Sequence, residues 1–512
     1  MPHLFLFIIL LLPYSLLNAQ ELTLLYTNDI ESVYEPVQAF WNPDIEYIGG
    51  MPQLSSLIKQ ERAKASTSFL LDAGDIFTGS LSQATEGKLA FDIYSAMGYE
   101  ALTIGNHEYE YGWEKLREVM QRARFPMLNA NIFYAGTDIP FARAYTILEK
   151  NGIRLGIIGI MGIDAFTNTI MKKHVEGLEV HDPAPIVQMW VDKLKPEVDM
   201  IVVLTHQNRT APMQTDKEAD PEVQRGFDED FALAGKVRGI DMIIGGHSDH
   251  GLWEPVQHPE TGTWIGLTFG QGKYLGYARF NLNREEGKVK LEEGRLIPVN
   301  ADELEADPSI LGLIQEARSE HPELAEEIGK IDKQAFRKYN RESNIGNLIA
   351  DIFREAGNAD IGIISSGSIR FDLNPGAVTI EQLLNVYPFT DNLHVLEIRG
   401  KEVIEVLKYS LSLPYGISQL SGIELTYDSR KPKEQRLIKA LIGGKEIDPD
   451  RVYTVATYTY LATGGDAYKM FVGKKRKIDK RKISEILISY FRKHGMVKVP
   501  EVGRMKDIGR VE

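Results

Sequence analysis

Asp29 and Glu31 stand one residue apart just past an apolar run, in LTLLYTNDIE, and two carboxylates so spaced suit a divalent cation. Four further runs end in the same kind of group. LLDAGD closes on Asp75, LTIGNHE on Asn106 and His107, IVVLTH on His206, and IIGGHSD on His247 and Asp249. Carboxylate, amide and imidazole are ligands for hard and borderline divalent ions. A lone histidine at a strand end is more often a hydrogen-bonded structural residue. Five ends in order, each carrying such groups, point instead to one convergent site.

Those residues need elements that bring them to one edge. SFLLDAGD (68–75), YEALTIGNHE (99–108), IRLGIIGIMG (153–162), DMIVVLTHQ (199–207) and DMIIGGHS (241–248) read as strands buried on both faces, alternating with helical stretches. The ends of such strands are where layered α/β folds place their sites. Residues 307–330, beginning DPSILGLIQEARSEH, read as a linker helix with Pro308 at its start. A second α/β segment fills 331–512, with glycine turns in SSGSIR and LATGGDAY. The basic run GKKRKIDKRK (473–482) reads as a solvated face opening an amphipathic helix.

Composition narrows the class. The 512 residues are 43% hydrophobic and 25% charged, so the chain is globular with more than one core. A net charge of −14 argues against nucleic acid as a partner. The opening MPHLFLFIILLLPYSLLNA (1–19) reads as a secretory signal peptide, so the protein is expected to be exported, periplasmic or secreted, with no stable membrane anchor after cleavage. The chain has no cysteine, which excludes disulfides, thiolate ligands and a cysteine nucleophile.

The ordered set D-x-E, G-D, G-N-H-E, H and G-H-S-D resembles the calcineurin-like metallophosphoesterases, and TNDIES, LDAGDIFTGS, IGNHEYEYG and GGHSDH look like their 5′-nucleotidase branch. RESNIGNLIADIF, SSGSIR, VYPFTDNLHVLEIRGKEV and YLATGGDAY resemble that branch's substrate-binding domain. The resemblance implies a four-layer metallophosphoesterase β-sandwich flanked by helices over 20–306, then a second α/β substrate-binding domain over 331–512. It implies two divalent metal ions bridged by Asp75, one held with Asp29, Glu31 and Asp249, the other with Asn106, His206 and His247. His107 would stabilise charge on the phosphoryl group, oriented by Glu110. Arg341 and Arg370 fall where the family holds the substrate, Phe389 and Tyr460 where two aromatics sandwich a base, and Ser365 and Asp466 where polar groups shape the pocket.

Two departures fall on one metal. Position 31 normally carries histidine in this family and here is Glu31; position 249 commonly carries His, Asn or Gln and here is Asp249. The first site becomes all oxygen, which favours Mn²⁺ or Mg²⁺ over Zn²⁺, with Ca²⁺ a further candidate. The added negative charge predicts a raised pH optimum. A third departure, SSGSIR for a glycine-rich turn, puts Ser366 and Ser368 where close approach of substrate is usual. The implied activity is phosphate release from 5′-nucleotides by metal-activated water. The alternatives are the same machinery on UDP-sugars, cyclic nucleotides or another phosphate ester, a sulfur-ester hydrolase on the same scaffold, and a catalytically silent nucleotide- or metal-binding protein.

Overall fold

The structure is a computed structural model and describes residues 19–39, 42–208, 226–413 and 416–510. Apart from Ala19, which opens the first strand, the expected signal peptide lies outside the described residues.

Two six-stranded sheets build the first half. In one, the strand Ala19–Thr27 runs parallel to Ser68–Asp72, which is followed by Ala101–Thr103 and Met127–Leu128; the antiparallel pair Tyr274–Asn283 and Lys288–Pro298 extends its other edge. In the other, Ile153–Met161, Met200–His206, Met242–Gly246 and Trp264–Gly266 are parallel neighbours, with Tyr145–Lys150 and Val256–Gln257 antiparallel at the edges.

Side-chain alternation explains how the sheets stack. In Met200–His206, Met200, Val202 and Leu204 join a buried cluster with Leu24, Tyr26, Leu71 and Leu128 of the other sheet. Ile201 and Val203 point the opposite way, onto Val187, Val191 and Leu194 of the helix Pro183–Leu194. Period-two apolarity on both faces therefore demands a covering layer on each side. The helices Met51–Lys64 and Lys88–Met97 cover the outer face of the first sheet, giving four layers, helix–sheet–sheet–helix.

The segment 307–330 packs back onto that outer layer. Asp307 caps the helix Pro308–Glu320 by accepting Ser309 N–H, and also accepts hydrogen bonds from Ser55 and Lys59 of the helix Met51–Lys64. Helical geometry stops at Glu320; after a short turn at Pro322–Ala325, the strand Glu327–Ile331 begins inside the segment.

The second half carries a five-stranded mixed sheet in the order Ser418–Ser421, Ile361–Ser365, Val452–Tyr458, Asn392–Arg399, Arg476–Lys482. The helix Asn344–Gly357, capped by Ser343, buries Ile345, Leu348, Ile349, Ile352 and Phe353 against it. The basic run does not open a helix, as the sequence suggested. Arg476–Lys482 is the edge strand of this sheet, and the helix starts only at Ile483. Its lysines and arginines occupy an otherwise pairable edge, a position where charge deters pairing with another chain.

Candidate metal centre and substrate cavity

Parallel strands bring their C-terminal ends to one side, and that is where the acids and histidines meet. Asp29 and Glu31 follow Ala19–Thr27, Asp75 follows Ser68–Asp72, Asn106 and His107 follow Ala101–Thr103, His206 ends Met200–His206, and His247 and Asp249 follow Met242–Gly246. The loops are stitched together by main-chain bonds, Asp29 N–H to Gly74 O and Glu31 N–H to Asp75 O, each 2.9 Å. Asp29, Glu31, Asp75, His247 and Asp249 all have positive φ, between 50° and 79°. Left-handed backbone at non-glycine residues costs about 1 kcal/mol or more each, and clusters where side chains must be aimed.

Asp75, His206 and His247 are buried and each places a ligand atom within 4.8 Å of the others. His206 Nε2 lies 3.0 Å from Asp75 Oδ2 and 2.9 Å from Asn106 Oδ1, while its Nδ1 lies 2.8 Å from the carbonyl of Ala73. Asp29 accepts the N–H of His247 on both oxygens, at 2.9 and 3.0 Å, and a side-chain bond from Asn28. Burial lowers His206, but the carboxylates of Asp75 and Asp29 override it and lift the imidazole to about 10. Burial and the neighbouring His206 push His247 down to about 3. Burial raises Asp29 to about 6, while Asp75, buried too, is held well below the carboxylate range by His206 and His107. Each group leans on its neighbours' charge, and a bound cation would replace protons in that role.

His107 lies at the side of this cluster. Its Nδ1 is 2.6 Å from Glu110 Oε1, and its backbone N–H donates to Asp75 Oδ1 at 2.8 Å. Burial pulls its pKa down, but Asp75 and Glu110 outweigh it and set it at about 9.

One cavity joins these residues to the second half. Asp29, Glu31, Asp75, Asn106, His107, Glu110, His247 and Asp249 line one side, and Ser365, Arg370, Phe389, Tyr460 and Asp466 the other. The halves are also bonded directly, Tyr460 Oη donating to Asn168 O at 2.6 Å and Ser80 N–H to Asn385 Oδ1 at 2.9 Å.

Comparison with known proteins matches this division. Residues 22–250 match the family model of calcineurin-like phosphoesterases, and residues 327–473 that of the 5′-nucleotidase C-terminal domain. The chain is 28% identical over 537 aligned residues to a 5′-nucleotidase of Diplobatis ommata, spanning 94% of this chain and 89% of that protein. It is 27% identical to a 5′-nucleotidase of Vibrio vulnificus, over 94% and 91%. The fold is similar to that of a 5′-nucleotidase precursor from Thermus thermophilus, with a TM-score of 0.84 at 23% identity, over 96% of this chain and 100% of that one.

The chain belongs to the 5′-nucleotidase family.

As a member of that family it is a metal-dependent phosphoester hydrolase. Of the residues expected at its site, two do not line the cavity. His206 is fully buried behind Asp75 and Asn106. Arg341 is exposed, and its carbonyl accepts from Gln419. Tyr339, two residues earlier in the RKYNRES stretch, lines the cavity instead, beside Arg337, whose guanidinium donates to the carbonyl of Arg370. The serines of SSGSIR are tied down rather than loose in the pocket: Ser365 donates to Asp466 at 2.9 Å, Ser366 to Ile417 O, and Ser368 lies 2.6 Å from the Tyr458 hydroxyl.

Glu108 is the largest omission of the sequence reading. It is fully buried and accepts the backbone N–H groups of Gly105, Asp75, Ile76 and Phe77. Burial and Asp75 raise it to about 7. Its only sequence signal is an acid directly after the expected Asn-His pair. Tyr109, Tyr111 and Tyr458 also line the cavity, and nothing in their local sequence distinguishes them from core tyrosines.

Proposed function

We propose that the protein is an exported two-metal phosphohydrolase releasing phosphate from 5′-nucleotides. One observation carries the reading: a single cavity has the Asp75 and His247 carboxylate–imidazole cluster on one wall and Arg370, Phe389, Tyr460 and Asp466 on the other. That combination suits a phosphate joined to a flat base. Export rests on the apolar opening of residues 1–19, and among the described residues no helix is long and apolar enough to cross a membrane.

The donor set fits divalent ions. Asp249 Oδ1 is buried and accepts no hydrogen bond, which suits an acceptor meant for a cation. A Cβ on Gly105 would stand 2.3 Å from Asp75 Oδ1 and 2.9 Å from His206 Cε1, so the space beside these ligands tolerates only glycine. Asp29, Asp75 and Asp249 would hold one ion, and Asp75, Asn106, His206 and His247 the other. Two such ions, when bound, supply an activated water and a clamp on the phosphoryl oxygens.

The chain's own groups do the rest. Glu110 at Nδ1 fixes the ring of His107, so that Nε2 faces the cavity and donates to the phosphoryl group or leaving oxygen. The Arg370 fork binds phosphoryl oxygens. Phe389 and Tyr460 offer flat faces to the base. Asp466, held by Ser365 and Tyr460, accepts from the ribose.

The test is phosphate release from AMP, ADP, ATP and UDP-glucose by the mature protein, after chelation and after return of Mn²⁺, Mg²⁺, Ca²⁺, Co²⁺ or Zn²⁺. Turnover of AMP restored by metal supports the reading. Preferential cleavage of UDP-glucose moves the substrate, and binding without turnover under every condition ends the enzymatic reading.

A further inference from the structure

Glu31 lines the cavity beside Asp29, Asp75 and Asp249 and reaches a side chain of the second half of the chain. It is 4% exposed, and its Oε1 accepts a hydrogen bond from Arg370 Nη1 at 2.9 Å. His107 Nε2 lies 3.4 Å from the same oxygen and 3.1 Å from Arg370 Nη2. One carboxylate oxygen thus sits against both side chains, Arg370 and His107, that face the phosphoryl group in the reading above. Phe389 backs both, its ring centroid 6.3 Å from that of His107 and 5.7 Å from the Arg370 guanidinium carbon.

To a guanidinium fork, a carboxylate oxygen and a phosphoryl oxygen are the same kind of acceptor. We propose that Glu31 is a built-in stand-in for the substrate phosphate rather than a metal ligand: its carboxylate occupies the phosphoryl-facing ends of Arg370 and His107, and an incoming phosphate displaces it. The proposal rests on the phosphohydrolase reading and deepens it. It gives the departure from histidine at position 31 a consequence, because an internal competitor weakens the hold on product phosphate as well as on substrate.

The experiment is calorimetric titration of inorganic phosphate into the metal-loaded protein, with metal content per chain measured in parallel, for the parent, Glu31→Gln and Glu31→Asp. Glu31→Gln keeps the shape and removes the charge, so phosphate is expected to bind about tenfold more tightly, with metal content unchanged. Glu31→Asp keeps the charge but withdraws it by one methylene, and a smaller tightening is expected; this variant carries the test if the Gln form does not fold. Loss of metal from either variant, or phosphate binding no tighter than in the parent, overturns the proposal while leaving the phosphohydrolase reading in place. A metal-loaded parent that binds no phosphate removes both.

Discussion

Glu108 Oε2 accepts the backbone N–H of Asp75 at 3.0 Å and that of Gly105 at 2.6 Å, while its Oε1 takes Ile76 and Phe77 at 2.8 and 3.2 Å. One buried carboxylate therefore sets the turn that aims the central acid of the site. Glu108→Ala leaves four buried donors unpaired and is expected to cost about 3 kcal/mol of stability and about 10–100-fold in metal affinity. Glu108→Gln, which keeps an acceptor, should fall between. Thermal unfolding and a metal titration on the same samples check both effects; wild-type metal affinity in Glu108→Ala would show that the turn holds itself.

In the proposed reaction His107 acts on the reacting group and Glu110, 2.6 Å from its Nδ1, acts through it. His107→Asn is expected to lower kcat by about 10²–10³-fold with little change in KM. Glu110→Gln frees the ring and should lower kcat less, about tenfold. Steady-state kinetics on AMP separate the two, and equal losses would place Glu110 on the substrate itself.

Phe389 lines the cavity, and in the proposed function its face stacks on the base. Phe389→Ala is expected to raise KM for AMP by about 10–100-fold, following the usual worth of aromatic–base stacking. Ribose 5-phosphate, which has no base, should be handled alike by parent and variant. An equal loss on both substrates would mean that Phe389 chiefly props His107 and Arg370.

As proposed ligands, the oxygens of Asp29, Asp75 and Asp249 would favour harder ions at one position. After chelation, Mn²⁺ or Mg²⁺ should restore more activity than Zn²⁺, with an optimum above neutral pH, because the extra carboxylate makes a bound water less acidic. Rates against pH from 6 to 9 with each ion provide the check. Full activity with Zn²⁺ alone would count against an oxygen-rich site.

Asp391 is a stability sensor in the second half. It accepts Tyr387 Oη–H at 2.9 Å and Tyr460 N–H at 3.1 Å, and burial, its main influence, raises its pKa to about 6. The unfolded chain releases this proton near pH 4, so from about pH 4 to 6 the folded state binds more protons and stability falls as pH rises. The contribution is fully present below pH 4 and gone above 6, a change of about 3 kcal/mol for two pKa units. Asp391→Asn should flatten that stretch relative to the parent, measured by denaturant unfolding at a series of pH values; parallel curves would place the Asp391 pKa near its ordinary value.

The gathering of these acids and histidines and the layered fold were legible in the linear chain for one reason: parallel strands send every C-terminal end to one side. Apolar runs ending in Asp29, Asp75, Asn106, His206 and His247 therefore announced both the sheets and the site. Partners chosen across the fold were not legible. Glu108 follows His107 in the chain, but its four backbone donors come from a loop some thirty residues away as well as from its own. Arg341 and Tyr339 stand two residues apart, and only the path of the chain around Arg337 and Gln419 decides which one reaches the cavity. The basic run at 473–482 has no period strong enough to choose helix or strand, so pairing with Asn392–Arg399 chose for it. Glu31 shows the limit most clearly. The sequence by itself determined that an acid follows the first strand, but the partner of that acid, Arg370, lies 339 residues away, and only the docking of the two halves brings them to 2.9 Å.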